Sequence, residues 1–350
     1  MQAGKFNILI GGMAGSESKG KISAYLTELH DPDLIVSHFM PNAGHTIITD
    51  RKYVSYHLPI CAVVSNAPVV IGPGAAINPE TFFTELETLG IDPSRLIISN
   101  RVPLITAEHI YIENQKLEHI ASTTQGCGAC VSSKIMRGDD VIRVGDDPRF
   151  ADLNIVEDIG QIINDFLDKG LTVFCEMAQG FDLCLNHGIE YPYCTSRNIQ
   201  PAQVMADSGV SPKRVGQIYS VIRPYPIRVG NHRGFSGPYA EAEELGWDEV
   251  KQRCGSPEDL TEITTTTKRQ RRIFEFSHER FNSMITLVQP DEIALNFVNY
   301  INWEDYGKTD WNEISDKTKD WVADLENTYG VFVSMLGTGP DHHQIVIRSK

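Results

Sequence analysis

The stretch Gly15-Ser16-Glu17-Ser18-Lys19-Gly20-Lys21 decides how this chain is read. It follows the apolar run Phe6-Asn7-Ile8-Leu9-Ile10 and precedes a helix-like stretch from Ile22 to Leu29. A strand, a Gly/Ser turn carrying lysines and then a helix form a phosphate cradle. Free backbone N–H groups and the positive helix end hold anionic oxygens. The loop is not a Walker A sequence, because Gly20 is followed by Lys21-Ile22 and the G-x-x-x-x-G-K-[ST] spacing fails. Taken alone, it also fits an ordinary turn with surface lysines.

Working outward, short apolar runs alternate with longer amphipathic ones. Strands are predicted at 5–11, 33–39, 67–72, 95–100, 171–176, 217–222, 291–300 and 331–336, and helices at 17–29, 79–90, 155–169, 241–253, 279–287 and 312–328. This alternation predicts an α/β fold with a mostly parallel central sheet and helices on both faces. No repeat or linker divides it, so one catalytic unit over 1–350 is expected. Ligands of such folds collect beyond the carboxyl ends of strands. Polar loops follow strand candidates at 11–21, 40–46, 72–78, 177–182, 228–237 and 337–342, which suggests a site for several substrates.

The net charge of −15 argues against a nucleic-acid-binding face. No apolar run is long enough to span a bilayer, and the first residues lead into a strand rather than a signal peptide. A cytoplasmic location is the expectation. Seven scattered cysteines fit a reducing compartment. Cys127 and Cys130 have C-x-x-C spacing, but no second ligand pair accompanies them. Small residues in a Gly-rich loop are the plainer reading. The basic cluster Lys268-Arg269-Gln270-Arg271-Arg272 suits a small anionic ligand or a solvated loop.

Further loops carry chemistry. Asn42, His45 and Thr46 surround the Gly44 turn and offer donors to phosphate. Ser122-Thr123-Thr124-Gln125-Gly126, with Lys134 and Arg137 downstream, offers hydroxyls and a guanidinium. Gln179, in Glu176-Met177-Ala178-Gln179-Gly180, is donor and acceptor in one group and can read a base edge. Thr264 to Thr267, followed by arginines, suit a dicarboxylate.

In this order the motifs resemble the adenylosuccinate synthetase family. Its GDEGKGK loop matches Gly15 to Lys21, its NAGHT matches Asn42 to Thr46, and its G-x-G-x-x-x-x-P matches Gly72 to Pro79. Its TTG-x-G and K-x-x-R match Thr123 to Gly126, Lys134 and Arg137. Its E-x-AQG and YPYVTSSN match Glu176 to Gly180 and Tyr191 to Asn198. Its STRVG, TTGRRRR and STGP match Pro226 to Gly230, Thr266 to Arg272 and Gly337 to Pro340. The chain is shorter than the family's common members, so peripheral insertions are expected to be missing.

The resemblance implies a two-step ligase. A nucleoside triphosphate phosphorylates the purine 6-oxygen, and the amine of aspartate displaces that phosphate. It implies catalytic roles for Ser16, Lys19, His45 and Gln179. It implies that the triphosphate lies on Gly15, Glu17, Ser18, Lys19, Gly20, Lys21, Gly44, Thr46, Asn296, Asn299, Gly337, Gly339 and Pro340. The purine monophosphate would lie on Ser16, Asn42, Thr123, Thr124, Gln179, Thr195 and Arg228, with Arg137 reaching in from the other subunit of a homodimer. Aspartate would be held by Thr265, Thr266, Thr267, Arg269 and Arg271. Mg²⁺ is the implied cofactor, near Ser16 and the Gly44 carbonyl.

Two departures redirect the substrates. The family's Asp in GDEGKGK is Ser16 here, and a smaller neutral group leaves room for a guanine 2-amino group. The family's phage branch, which makes 2-aminoadenine from dGMP, looks like this. The family's guanine-reading T-K-x-D is Asn296-Phe297-Val298-Asn299 here, so ATP or dATP becomes the expected donor. The expected reaction joins L-aspartate to C6 of dGMP. An ordinary synthetase using IMP and GTP, or a non-catalytic nucleotide-binding homologue, are the alternatives.

Overall fold

Every residue of Phe6–Gly11 is buried, which a strand achieves only when both faces of its sheet are covered. A computed structural model, describing residues 1–139, 141–264 and 268–349, places this strand, β1, near the middle of a ten-stranded sheet. The chain continues with α1 (Lys19–His30), β2 (Leu34–Ser37), β3 (His45–Ile48), β4 (Lys52–Ser55), β5 (Val69–Ile71) and α2 (Pro79–Leu89). Next come β6 (Leu96–Ser99), α3 (Ala107–Lys116), α4 (Cys127–Met136), β7 (Asn154–Val156), α5 (Ile159–Asp168), β8 (Val173–Gly180) and α6 (Pro201–Asp207). The remainder is β9 (Val215–Ile222), β10 (Ile227–Arg228), β11 (Glu244–Leu245), α7 (Trp247–Cys254), β12 (Arg272–Phe274), α8 (His278–Val288), β13 (Glu292–Asn296), α9 (Asp316–Tyr329), β14 (Val333–Gly337) and β15 (Ile345–Ile347).

The main sheet runs β15-β14-β13-β9-β1-β8-β2-β5-β6-β7. All its pairings are parallel except β14 with β15. Alternate residues of β1 enter different cores, as a period of two requires. Phe6, Ile8 and Ile10 join the core under α5, α8 and α9, whereas Leu9 joins the one under α1 and α2. Each fully buried Leu, Ile or Phe stabilises the fold by about 1.5–3 kcal/mol before entropy is counted. Helix ends are set locally: Asn78 accepts from Thr81 N with Pro79 in the first turn of α2, and Gly90 closes that helix with φ 68°.

Several elements were not legible from hydrophobic period. The β3–β4 hairpin forms a separate two-stranded sheet, and β10, β11 and β12 form another of three strands. The Gly-rich reading of 126–130 fails: Cys127–Met136 is a helix, whose first N–H groups are met by the buried Glu113 carboxylate. The strand predicted at 291–300 stops at Asn296, because Phe297 takes φ 62° and turns the chain. The helix predicted from residue 17 begins at Lys19, since Ser16 and Ser18 both have left-handed backbone (φ 57° and 59°). Among the described residues no helix is long and apolar enough to cross a membrane.

Candidate active site

The loops after β1, β2, β8 and β13 meet beyond the carboxyl ends of their strands. Between them lies a cleft of about 390 Å³, lined among others by Gly15, Ser16, Ser18, Lys19, Gly20, Asn42, Gly44, His45, Thr46, Thr123, Gln179 and Arg271. A second cleft of about 400 Å³ adjoins it, lined by Lys21, Asn296, Asn299, Trp303, Tyr306, Gly339 and Pro340. Ser18, Thr46, Glu262, Phe297 and Tyr300 border both.

The phosphate loop is braced from beneath by Glu17. Its fully buried carboxylate accepts from Met13 N (3.1 Å) and Gly15 N (2.8 Å) and pairs with Lys19 at 2.8 Å. Glu17 therefore holds the loop rather than lining either cleft. Asn296 Nδ2 donates to Glu17 O at 2.6 Å. Lys21 Nζ donates to the carbonyls of Gly339 and Gln344, both at 2.7 Å, and so bolts α1 to the β14–β15 loop. Burial lowers the Lys21 pKa to about 7, against the opposing pull of Asp341. Gly180 must be glycine for this packing, since a Cβ there would lie 2.0 Å from Met13 O.

His45, nearly buried, stacks on Phe39 with ring centroids 4.0 Å apart. Its Nδ1 lies 3.5 Å from Glu176 Oε1, and its Nε2 has no partner. Glu176 Oε2 accepts from Cys61 N at 3.3 Å. A ring oriented through one nitrogen leaves the other available to a ligand. Gln179 is aimed by an irregularity in the β1–β8 pairing: β8 advances from Glu176 to Gly180 while β1 advances from Leu9 to Gly11. Its φ of 67° belongs to the same kink. Left-handed backbone at Ser16, Ser18, Thr124, Gln179 and Phe297 concentrates on the loops around the clefts, where strain marks functional geometry.

Asn42 Nδ2 donates to Thr195 Oγ1 at 3.3 Å, joining the β2 and β8 loops. Thr123 lines the first cleft, and Thr124 N donates to Ser122 Oγ. Arg228 is buried behind the cleft, donating to Ser236 O and Tyr193 O with Nη1 unpartnered, and burial lowers its pKa to about 10. Arg137 is exposed at the end of α4, away from both clefts. Arg269 opens on a side groove beside Trp247, while Arg271 reaches the first cleft with its guanidinium on Glu262 at 2.9 Å. Thr265, Thr266 and Thr267 lie outside the described residues. Gly337 ends β14 tight against Asn296, behind the second cleft.

Sequence reading missed the fully buried Arg223. It donates to Ser16 O at 3.0 Å, pairs with Glu262 and lies 4.1 Å over the Phe297 ring. Burial alone would raise the Glu262 pKa, but Arg223 and Arg271 more than offset it and hold the carboxyl below the usual range. The signal was an arginine at the end of a strand, in Val221-Ile222-Arg223. The two cysteines of the C-x-x-C are buried, unpaired thiols, and burial pushes Cys130 up to about 12.

Glu262, the carboxylate lining the first cleft among the described residues, is committed to two arginines, and Glu17 beneath it is committed to the loop. What Ser16 and Gly44 offer a Mg²⁺ is neutral oxygen. That donor set fits an ion carried mainly by nucleotide phosphates and water, as Mg²⁺ commonly is.

The family model described as adenylosuccinate synthetase matches residues 8–153 and 149–305. The adenylosuccinate synthetase of Pyrococcus horikoshii is 32% identical over 354 residues, covering 97% of this chain and 98% of its own. That of Methanococcus maripaludis C7 is 32% identical, covering 98% and 99%. The chain and these archaeal relatives thus match over nearly their whole lengths. The succinoaminodeoxyadenylate synthetase of cyanophage S-2L, solved with dGMP and dATP as an energy donor, superposes with a TM-score of 0.84 at 27% identity, covering 99% of this chain and 96% of that one. Adenylosuccinate synthetase from Plasmodium falciparum shares the fold, with a TM-score of 0.84 at 21% identity over 98% and 99% of the chains. With the family model spanning most of its length and near full-length relatives above 30% identity, the chain belongs to the adenylosuccinate synthetase family, ligases that form a C–N bond.

Proposed function

We propose that this ligase joins L-aspartate to C6 of dGMP through a 6-phosphoryl intermediate, with ATP or dATP as phosphoryl donor. The products are 2-amino-2′-deoxyadenylo-succinate, ADP or dADP, and phosphate. The observation that carries the reading is Ser16. It lines the first cleft where the family loop has a carboxylate, and its hydroxyl is unpaired among the described residues. A carboxylate is larger and would crowd a 2-amino group, whereas the smaller hydroxyl leaves it room and can still accept its N–H.

In this reading Gln179 and Asn42 hold the purine, and Thr123, Thr124, Thr195 and Arg228 belong to the monophosphate side. His45 Nε2 donates to the phosphoryl oxygens as charge spreads, while Glu176 keeps the ring from turning. Lys19 and the 15–21 amides hold the γ-phosphate. Mg²⁺, held near Ser16 and the Gly44 carbonyl, neutralises phosphate charge when bound. Arg269 and Arg271, with Thr265 to Thr267, take the carboxylates of aspartate. Arg271 would have to share its guanidinium with Glu262 or leave it. Arg137 would complete a neighbouring site in a homodimer, a role supported by its position after the exposed Ile135 and Met136.

The second cleft supports an adenine donor. Asn299 borders it beside Trp303, Tyr306 and Pro340, at the position of the family's guanine-reading Asp, while Asp259, which also lines this cleft, spends Oδ1 on Thr261 N and Oγ1. The alternative, IMP with GTP, is favoured by the archaeal relatives' names. Phosphate release with aspartate separates the two. dGMP with ATP or dATP should turn over at least about tenfold faster than IMP with GTP, the worth of one polar mismatch. Faster turnover of IMP overturns the proposal.

A further inference from the structure

A second site lies behind the clefts, where α1, β3 and the β14–β15 loop meet. Glu28, on the last turn of α1, faces two adjacent histidines of the loop. His342 Nε2 lies 3.1 Å from both Glu28 oxygens, and His343 Nε2 lies 2.8 Å from Glu28 Oε2. Among the described residues this is the one group of three potential ligands whose donor atoms all fall within 4.8 Å of one another. The rings of His342 and His343 are 3.8 Å apart at their centroids, so both present the same edge to the carboxylate.

The hydrogen-bond chemistry of His342 asks for a cation. Its Nδ1 meets the Ile48 carbonyl at 3.2 Å. A carbonyl only accepts, so Nδ1 carries the proton. In the neutral ring Nε2 then has a bare lone pair, turned toward two anionic oxygens. That contact is repulsive unless a positive species, a proton on Nε2 or a metal ion, stands between them. A backbone carbonyl on the far nitrogen is also the arrangement that fixes a metal-binding imidazole. Asp341 Oδ1, 3.8 Å from Nδ1, adds negative charge on that side. His342 is nearly buried, while His343 is 64% exposed, which gives an ion a path in from solvent.

We propose that Glu28, His342 and His343 form a site for a borderline divalent cation of the Zn²⁺ class, with water in the fourth position. Ligands about 2.0–2.1 Å from a tetrahedral Zn²⁺ sit roughly 3.3 Å apart, close to the 3.1 Å between His342 Nε2 and the Glu28 oxygens. Two imidazoles and one carboxylate do not suit Mg²⁺, which prefers oxygen ligands and keeps its water. The site is therefore separate from the nucleotide-borne ion. Its position gives it a structural role. It would tie the helix of the phosphate loop, through Glu28, to the segment that carries Gly339 and Pro340 into the second cleft. Lys21 bolts that segment at Gly339 O and Gln344 O, and the metal would clip the stretch between them.

The test is a titration of the full-length protein with Co²⁺ and Zn²⁺, read by the visible Co²⁺ bands and by calorimetry, with Mg²⁺ as comparison. The expected result is one equivalent of Co²⁺, displaced by Zn²⁺ and unaffected by millimolar Mg²⁺. Saturating Zn²⁺ should raise Tm by about 3 °C. His343→Ala, at an exposed position, and Glu28→Gln, nearly isosteric, should each weaken binding at least about tenfold. His30→Ala is the control, because His30 contacts the Met1 amine and could hold an ion with it. No saturable binding overturns the proposal, since a proton then bridges the cluster. Binding lost in His30→Ala but kept in His343→Ala overturns it equally.

Discussion

The two clefts share a wall yet are built differently. The first is lined by polar groups from several strand ends, and its fittings are held by buried partners: Glu17 under the loop, Glu176 behind His45, Arg223 on Ser16 O. The second has an aromatic wall of Trp303, Tyr306 and Phe297 beside Pro340, with Asn296 and Asn299 from the β13 end and Lys21, Glu258 and Asp259 on its other sides. Around the first cleft the family's phosphate loop is kept except at Ser16 and Ser18, and in the proposed alignment the base-reading segment of the second differs at both its Lys and its Asp positions. In the proposed reading, chemistry and donor choice thus depend mainly on different walls, with Ser18, Thr46, Glu262, Phe297 and Tyr300 bordering both clefts.

Removing the ring at the first cleft should cost most. His45→Ala is expected to lower kcat by about 10²–10⁴ while leaving KM for all three substrates within a few-fold, because the lost interaction develops with the transition state. Single-turnover phosphoryl transfer measures it. A matching loss in KM alone would make His45 a binding group and erase the distinction between the clefts. Next in size is Ser16→Asp. Against dGMP the ratio kcat/KM should fall by about ten- to a hundredfold, the cost of crowding one amino group with an unsatisfied charge. The KM for the triphosphate should not move. An unchanged dGMP rate would remove the steric argument for a guanine substrate.

Asn299→Asp addresses the other wall. A carboxylate there can accept from guanine N1–H and N2–H₂, so the preference for ATP over GTP should fall by about tenfold. Competition between the two donors in one reaction reads this directly. The structure sharpens which residue to change. Asn296, the other polar group of the segment, spends its amide on Glu17 O and Ser18 O, so its replacement would loosen the phosphate loop instead.

Much of this was written in local sequence, and the remainder was not for identifiable reasons. Phe6 to Ile10 and the loop after it are readable because burial on both faces demands an apolar run and a phosphate cradle demands Gly, Ser and Lys. Helix α3 escapes a periodicity search, since His109 and Glu113 are its buried residues. The carboxylate of Glu113 then shapes the Thr123–Gly126 turn by accepting from Gly126 N and Gly128 N. Arg223 and Glu262 are 39 residues apart, and nothing in either segment announces the other. Glu17 shows the converse. Its position in the motif is legible, but only the fold reveals that it braces the loop from below.

The effects of smallest consequence for turnover come from two buried bases, and their pH windows differ. His38, wholly buried behind the first cleft, takes Gly74 N on Nδ1 and meets Ser208 Oγ through Nε2 at 2.8 Å. Burial, and then Arg197, lower its pKa from 6.5 to about 3. It is neutral in the native state while the unfolded chain protonates below pH 6.5. Its contribution to stability is therefore full above pH 6.5 and falls as pH drops toward 3, by about 1.4 kcal/mol per pH unit. Lys21, under the second cleft, is displaced from 10.5 to about 7. Between those values the unfolded chain holds the extra proton, so stability rises with pH across the alkaline window at the same limiting slope. Urea unfolding from pH 4 to 10 should show both arms. His38→Gln should flatten the acid arm and leave the alkaline one, and Lys21→Met should do the reverse. If either substitution flattened both arms, the supports of the two clefts would be coupled, and the separation argued from their walls would not extend to what lies beneath them.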